Sequence, residues 1–141
     1  KYFKMSADNG NNKAMFNYAD ILYKGEEVTM NKEEAIKYFK MSADNGNDKA
    51  MYIYADMLYN GKEVAMNKEE AAKYFKMSAD KGNSDAMNSY AIILYTGDGI
   101  GINKQEAIKY FKMSADKGNS NSISILKRMN VLWLFSLDFP E

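Results

Sequence analysis

The chain has 141 residues, and its 19 basic and 19 acidic side chains give a formal net charge of zero. This balance argues against binding nucleic acid through a broad basic surface and against an acidic disordered tail. The sequence contains no cysteine and no histidine. Disulfides, thiolate chemistry and zinc sites built from these residues are therefore excluded, and the commonest general base is missing.

No apolar run is long enough to span a membrane, because the longest one covers only residues 131–135. The chain begins with Lys1 rather than Met and shows no signal peptide. We therefore expect it to be a segment of a longer protein, and its compartment stays unknown.

The octapeptide KYFKMSAD begins at Lys1 and returns unchanged at Lys37, Lys73 and Lys109, which gives a constant period of 36 residues. A period of this length indicates a helical repeat array. The sequence therefore predicts one repeat domain over residues 1–130 and a divergent tail over residues 131–141. The domain divides into a partial unit 1–10, full units 11–46, 47–82 and 83–118, and a degraded unit 119–130.

Each unit predicts two helices joined by a loop. In the first full unit, the first helix follows its N-cap Asn11 and ends at Gly25. The second helix follows Asn31, with Glu34 three residues later, and ends just before Gly46. The Asn-x-x-Glu pattern resembles a capping box, in which the Asn caps a backbone N–H and the Glu reaches back.

The loop between the two helices carries two apolar residues in every unit, which predicts a packed loop. These residues are Val28 and Met30, Val64 and Met66, and Ile100 and Ile102.

Comparison of the internal copies divides the first helix into two faces. Six positions recur in all three units: Ala14, Met15, Tyr18, Ala19, Leu22 and Tyr23. Five positions vary: Phe16, Asn17, Asp20, Ile21 and Lys24. At about 100° per residue the two sets fill opposite halves of a helical wheel. The recurring half is expected to pack against other helices, and the varying half to face water or a partner.

The second helix carries a run that never varies, residues 37–44. Ala35, Phe39, Ser42 and Ala43 form a stripe at spacings of one, three and four, which is typical of a buried helix face. The invariant run therefore predicts a packing element rather than a binding site.

Taken together, these residues resemble the Sel-1-like repeat family. The resemblance depends on Ala14, Tyr18, Ala19, Leu22, Tyr23, Gly25, Val28, residues 31–35, Tyr38, Phe39, Met41, Ser42, Ala43 and Gly46. The third unit has the family's Gly-x-Gly loop at Gly97 and Gly99, whereas Glu27 and Glu63 stand at the second glycine in the other units. Tetratricopeptide repeats are the nearest competitor, but their period is about 34.

The resemblance implies an all-α fold, a right-handed α/α superhelix of about three full repeats with partial repeats at both ends. It also implies a concave surface lined by the first helices and a role as an adaptor in protein complexes. Some eukaryotic members work in endoplasmic-reticulum-associated degradation, and some bacterial members are secreted or periplasmic. Catalysis is not implied.

The varying half of the first helices is the predicted partner-binding face. It comprises Asn17, Asp20, Lys24, Ile53, Asp56, Asn60, Ser89, Ile92 and Thr96. A second interpretation stays open, in which these positions drift in solvent and bind nothing.

Two short motifs invite other functions and support neither. The loop GDGIG at residues 97–101 lacks the preceding strand and the further glycine of a dinucleotide site. The segment ADNGND at residues 43–48 lacks the residue order of a calcium loop and fits a helix end followed by an N-cap. No metal and no cofactor is therefore expected.

The leading functional hypothesis is a non-catalytic scaffold or adaptor that binds a protein or peptide. The alternatives are an adaptor subunit in a membrane or endoplasmic-reticulum quality-control complex, which depends on the resemblance alone, and an enzyme using paired acids such as Glu33 and Glu34. We expect residues 131–141 to form either a cap on the last exposed face of the array or a docking segment for a partner or a membrane surface. Because the chain begins inside a second helix, we expect an exposed apolar face at that end and self-association through it.

Overall fold

The computed structural model describes residues 12–25 and 31–136 of the chain. Within these ranges the chain forms seven α-helices and no strand, which confirms the all-α prediction. The helices are α1 (Asn12–Lys24), α2 (Lys32–Asp44), α3 (Asp48–Asn60), α4 (Lys68–Asp80), α5 (Ser84–Thr96), α6 (Lys104–Asp116) and α7 (Ser120–Ser136). Each contacts the next helix along the chain, as expected of a solenoid. The partial unit 1–10, the cap Asn11 and the loop residues Glu27, Val28 and Met30 lie outside the described residues.

Asparagine caps begin the second helix of every unit, as predicted. The Asn31 side-chain oxygen accepts the Glu34 backbone N–H at 3.0 Å. The predicted return contact is different, because Glu34 accepts the Asn31 side-chain amide at 3.5 Å rather than its backbone N–H. That N–H instead donates to the carbonyl oxygen of Leu22 at 3.0 Å and ties the loop back to α1. The same three contacts recur in the next two units.

The recurring half of the first helix forms the core, as the wheel predicts. Ala14, Met15, Tyr18, Ala19 and Leu22 are buried. The tyrosine at position 18 packs edge-on against Tyr38 of the same unit, with ring centroids 5.0 Å apart. The two later units repeat this pair at 5.1 Å. Such pairs add about 0.5–1.5 kcal/mol each beyond the area they bury.

The invariant octapeptide joins each unit to the unit before it. The Tyr74 hydroxyl donates to Asp44 of the preceding octapeptide at 2.7 Å. Within its own unit, the fully buried Ser78 donates to the carbonyl oxygen of Asp48 on α3 at 2.7 Å. Tyr110 and Ser114 make the same two contacts in the next unit, at 2.8 Å each. These contacts explain why the tyrosine, serine and aspartate of the run do not vary, since the copy at residues 73–80 must match the copies before and after it.

The prediction that the whole varying half faces water or a partner is wrong at two of its five positions. Phe16 packs on the second helix of its own unit, with the Phe16 and Phe39 ring centroids 5.7 Å apart. Asn88, which occupies the same position in the third unit, is buried. The position of Ile21 is buried in its later copies, Met57 and Ile93. A solenoid helix has neighbours on three sides, so its buried arc exceeds half the wheel.

The loop prediction is confirmed for one of its two apolar positions. Val64 and Ile100 pack against the core. Met66 and Ile102 are 59% and 63% exposed, so packing was the wrong prediction for them. Each of these two side chains lies beside the glycine that ends its first helix, Gly61 or Gly97.

The degraded unit and the first six residues of the predicted tail form one helix, α7, which has 17 residues where every other described helix has 13. Ile125, Leu126 and Met129 are half-buried against the core. Lys127, Arg128 and Asn130 are exposed, and a polar outer face is what a solenoid end requires. The side chains of 131–136 and all of 137–141 lie outside the described residues, so both roles of the tail stay predictions. No described helix is long and apolar enough to cross a membrane.

Replacing Tyr74 by Phe removes the hydroxyl that donates to Asp44 and keeps the ring. We expect the free energy of unfolding, measured by urea denaturation, to fall by about 1–2 kcal/mol at neutral pH. Tyr95→Phe is the matched control, because its hydroxyl has no polar partner among the described residues. Equal losses in the two variants would contradict the assigned role.

The same variant should alter the dependence of stability on pH. Burial acts to raise the pKa of Asp44, but hydrogen bonds from Tyr74 and Lys40 outweigh it and hold the pKa below its ordinary 3.8. A carboxyl group with a lowered pKa stabilises the fold above that value and loses the contribution on acidification. The difference between wild type and Tyr74→Phe should therefore shrink as the pH falls through about 4, and a difference that stays constant would count against the ionised contact.

Candidate protein-binding face

All nine predicted partner-binding residues lie on the first helices of the three units, and none is fully buried. They divide among α1, α3 and α5 as Asn17, Asp20 and Lys24, then Ile53, Asp56 and Asn60, then Ser89, Ile92 and Thr96.

Two clefts separate the three first helices. The first cleft, between α1 and α3, has a volume of about 260 Å³ and is lined by Asp20, Tyr23, Lys24, Phe39, Tyr52, Ile53, Asp56, Met57 and Lys62. The second cleft, between α3 and α5, has about 170 Å³ and is lined by Asp56, Tyr59, Asn60, Phe75, Ser89, Ile92 and Ile93. Every lining residue of the second cleft has its counterpart 36 residues earlier in the first. The two clefts are therefore the same site in successive repeats.

Most of the predicted residues come together at these clefts. Four of the predicted residues line the first cleft and four line the second. Asp56 lines both, so seven of the nine predicted residues line a cleft. Asn17 instead lines a separate recess beside the turn between α2 and α3. Thr96 lies outside both clefts, and its hydroxyl donates to the carbonyl oxygen of Ile92 at 2.9 Å.

The rims of the two clefts differ in charge although their geometry is shared. In the first, Lys24 and Asp20 form an ion pair at 3.1 Å. In the second, the amide of Asn60 takes the place of the lysine and donates to Asp56 at 3.2 Å. Ile92, which is 38% exposed, stands where the first cleft has Asp56. The face therefore changes from charged to apolar along the array.

The sequence comparison missed the tyrosines that line both clefts. Tyr23 and Tyr59 belong to the recurring half and were predicted to pack, yet both are half-buried and line a cleft. A residue that lines a repeated cleft recurs as regularly as a core residue, so recurrence alone does not separate the two roles. Their position in the last turn before the helix-ending glycine is the one available signal.

Tyr23 also contributes to a contact between units. Lys32 lies over its ring, with the lysine nitrogen 5.0 Å from the centroid. Glu63, from the loop of the next unit, accepts the Tyr23 hydroxyl at 3.2 Å and the Lys32 nitrogen at 3.0 Å. The hydrogen bond from Lys32 is the main cause that lowers the pKa of Glu63 and, reciprocally, raises the pKa of Lys32.

Tyr59 and Lys68 repeat this arrangement one unit later, with the lysine nitrogen 5.1 Å from the ring centroid. Here the acid is Asp98, which accepts the Tyr59 hydroxyl, and both of its carboxylate oxygens lie 3.0 Å from the Lys68 nitrogen. The hydrogen bond from Tyr59, followed by that from Lys68, lowers the pKa of Asp98. We call each combination of a first-helix tyrosine and the lysine over its ring a tyrosine–lysine pair.

The two acids come from neighbouring positions of the loop, because the counterpart of Glu63 is Gly99 rather than Asp98. Gly99 has a φ of +94°, and a Cβ atom built there would lie 2.6 Å from the Cβ of Lys68. Its lack of a side chain lets the loop approach α4 closely enough for Asp98 to reach Lys68. This contact explains why the third unit has the Gly-x-Gly loop.

Among the described residues, no group of three or more acidic side chains is placed to hold a metal ion. No buried side-chain nitrogen or oxygen in the same part of the chain is left without a hydrogen-bond partner. The buried polar side chains of the described residues are thus satisfied within the fold.

A family model for the Sel1 repeat matches residues 12–47, 48–83 and 84–119, which is most of the chain. The chain belongs to the Sel1 repeat family. No curated protein matches its sequence significantly. The three Sel1 matches have the 36-residue period of the predicted units and begin one residue later.

Solved structures share the Sel1 repeat fold. A Sel1 repeat protein from Oxalobacter formigenes superposes with a TM-score of 0.86 at 22% identity, covering 89% of this chain and 95% of that one. A protective antigen of uropathogenic Escherichia coli strains, described as displaying an SLR fold, gives 0.80 at 26% identity over 86% of this chain. This chain spans only 26% of that antigen. Cysteine rich protein B of Helicobacter pylori gives 0.67 at 20% identity, covering 80% of this chain and 92% of that one.

Sel1 repeat proteins are generally protein-interaction scaffolds, and the fold is generally non-enzymatic. The family therefore supports a protein partner for this chain. Which surface takes the partner depends on the geometry of the individual chain.

Replacing Gly99 by Ala tests the close approach of the third loop. The added Cβ meets the Lys68 side chain in a left-handed backbone, so we expect the free energy of unfolding to fall by about 1–3 kcal/mol. Gly101→Ala is the matched control, because no atom lies within 4 Å of its built Cβ. Thermal unfolding followed by circular dichroism compares the two, and a Gly99→Ala melting temperature no lower than that of Gly101→Ala would refute the close approach.

Proposed function

We propose that this Sel1 repeat chain is a non-catalytic scaffold or adaptor that binds a protein or peptide across the two clefts of its first helices. One observation carries the proposal: the two clefts have the same shape, but the side chains at their rims differ in chemistry. The clefts occupy equivalent positions, while the rim residues Ile53, Asp56 and Ser89, Ile92 differ between them. Stacking of the units fixes the shape of the clefts, whereas the side chains at their rims can differ to suit a partner.

The size of the clefts favours a polypeptide ligand. At about 260 and 170 Å³, both are smaller than the roughly 300–1,000 Å³ of pockets that take small molecules or cofactors. Each is lined by the buried phenylalanine of a second helix, Phe39 or Phe75. An extended segment that places one side chain in each cleft fits this arrangement.

The difference between the rims predicts what the two side chains are. The second cleft combines Ile92 with the neutral side chains Asn60 and Ser89 and suits an apolar residue. The first cleft is bounded by Asp20, Lys24 and Asp56 and suits a polar or positively charged residue. If the first helices line the concave surface, as the family resemblance implies, both clefts face a partner lying along the array.

Selection of a random peptide library on the folded chain, followed by calorimetry with the selected peptides, tests this face. We expect Ile92→Ala to weaken binding about tenfold or more, because buried apolar anchors dominate such interfaces. Asp56→Ala should weaken it too, since Asp56 belongs to both clefts.

Ile102→Ala is the matched control for Ile92→Ala, because Ile102 is the more exposed of the two isoleucines and lines neither cleft. Glu69→Ala is the matched control for Asp56→Ala, because Glu69 is an exposed acidic residue on α4. Unchanged affinity in both cleft variants, with losses in the two controls, would place the binding site elsewhere.

A further inference from the structure

The third tyrosine–lysine pair, Tyr95 and Lys104, has the geometry of the first two. The lysine nitrogen lies 5.0 Å from the centroid of the Tyr95 ring, against 5.0 and 5.1 Å in the earlier pairs. In both earlier pairs the same two groups bind one carboxylate, which accepts from the tyrosine hydroxyl and from the lysine nitrogen. The pair is therefore shaped for a carboxylate.

The third pair holds no carboxylate among the described residues. By register, the acid would come from residue 134 or 135, but the chain has Leu134 and Phe135 there. Both fall within α7, which is still helical where α3 and α5 have already ended. Lys104 is correspondingly exposed, whereas the lysines of the other two pairs are half-buried.

We propose that Tyr95 and Lys104 form a binding site for an aspartate or glutamate side chain of a partner protein. The carboxylate accepts the Tyr95 hydroxyl and the Lys104 nitrogen, as Glu63 and Asp98 do within the chain. Charge at this end supports an acidic partner, because Lys127 and Arg128 on α7 are exposed and no described carboxylate pairs with them. The site is separate from the two clefts, so the proposal does not depend on whether the clefts bind a peptide.

The probe is a synthetic peptide with the sequence of residues 96–103, TGDGIGIN, the loop whose Asp98 binds the second pair. Its binding to the full chain is followed by two-dimensional NMR at millimolar peptide concentration. We expect shift changes that centre on Tyr95 and Lys104, and their absence overturns the proposal. The same peptide with Asn in place of its Asp should bind at least about fivefold more weakly, since charge supplies much of the attraction, and equal binding also overturns it.

Variants of the chain test the two receiving groups. We expect Lys104→Gln to weaken binding about fivefold or more and Tyr95→Phe about two- to threefold, as the loss of one hydrogen bond predicts. Lys109→Gln is the matched control, because Lys109 also lies over a tyrosine ring on α6, but the hydroxyl of that Tyr110 already donates to Asp80. A Lys109→Gln loss equal to that of Lys104→Gln would overturn the assignment.

The chain's own last residues supply the competing occupant, since Asp138 and Glu141 follow α7 in the sequence. The double variant Asp138→Asn, Glu141→Gln separates the two cases. Unchanged affinity for the peptide supports a partner's carboxylate. A rise of about fivefold or more shows that the tail occupies the pair and overturns the proposal of an external partner.

Discussion

The stacking contact between successive octapeptides is the constraint on which the rest of the molecule depends. A tyrosine hydroxyl of one unit donates to the aspartate of the unit before it, and a buried serine on the same helix donates to the backbone at the start of its own unit's first helix. The octapeptide at residues 73–80 does both, because its Tyr74 donates to Asp44 and its Asp80 accepts from Tyr110. A change in one copy therefore leaves a polar group of its neighbour unpaired, at a cost of about 1–3 kcal/mol when that group is buried. The array keeps one geometry because each tyrosine must find the aspartate of the preceding copy.

This constraint leaves part of the first helix free to differ between units. The second helices and the recurring half of the first helices set the distance between units, and the clefts between α1, α3 and α5 follow from that distance. Side chains on the cleft rims contribute little to stacking, so Asp56 and Ile92 can occupy equivalent places with opposite chemistry. A repeat array can thus present a graded surface without any change to its core.

The loops form a second connection between units, in which an acid of one loop contacts the tyrosine of the preceding unit. Tyr23 and Glu63 are 40 residues apart, and Tyr59 and Asp98 are 39 apart. A carboxylate at either of two adjacent loop positions reaches the tyrosine–lysine pair, provided that the backbone comes close enough, which Gly99 allows in the third loop. The end of the array interrupts this series, because α7 continues as a helix where a loop would supply the next acid.

The sequence alone determined the repeat, the two helices of each full unit and the asparagine caps, because these depend on periodicity and on residues a few positions apart. The tertiary structure alone decided that Met57 and Ile93 are buried, that Met66 and Ile102 are not, and that Tyr23 and Tyr59 line clefts. A helical wheel treats one helix at a time, whereas burial and cleft shape depend on the distance to helices of the neighbouring units. That distance is set by packing between residues about 30 to 40 positions apart, which no local pattern encodes.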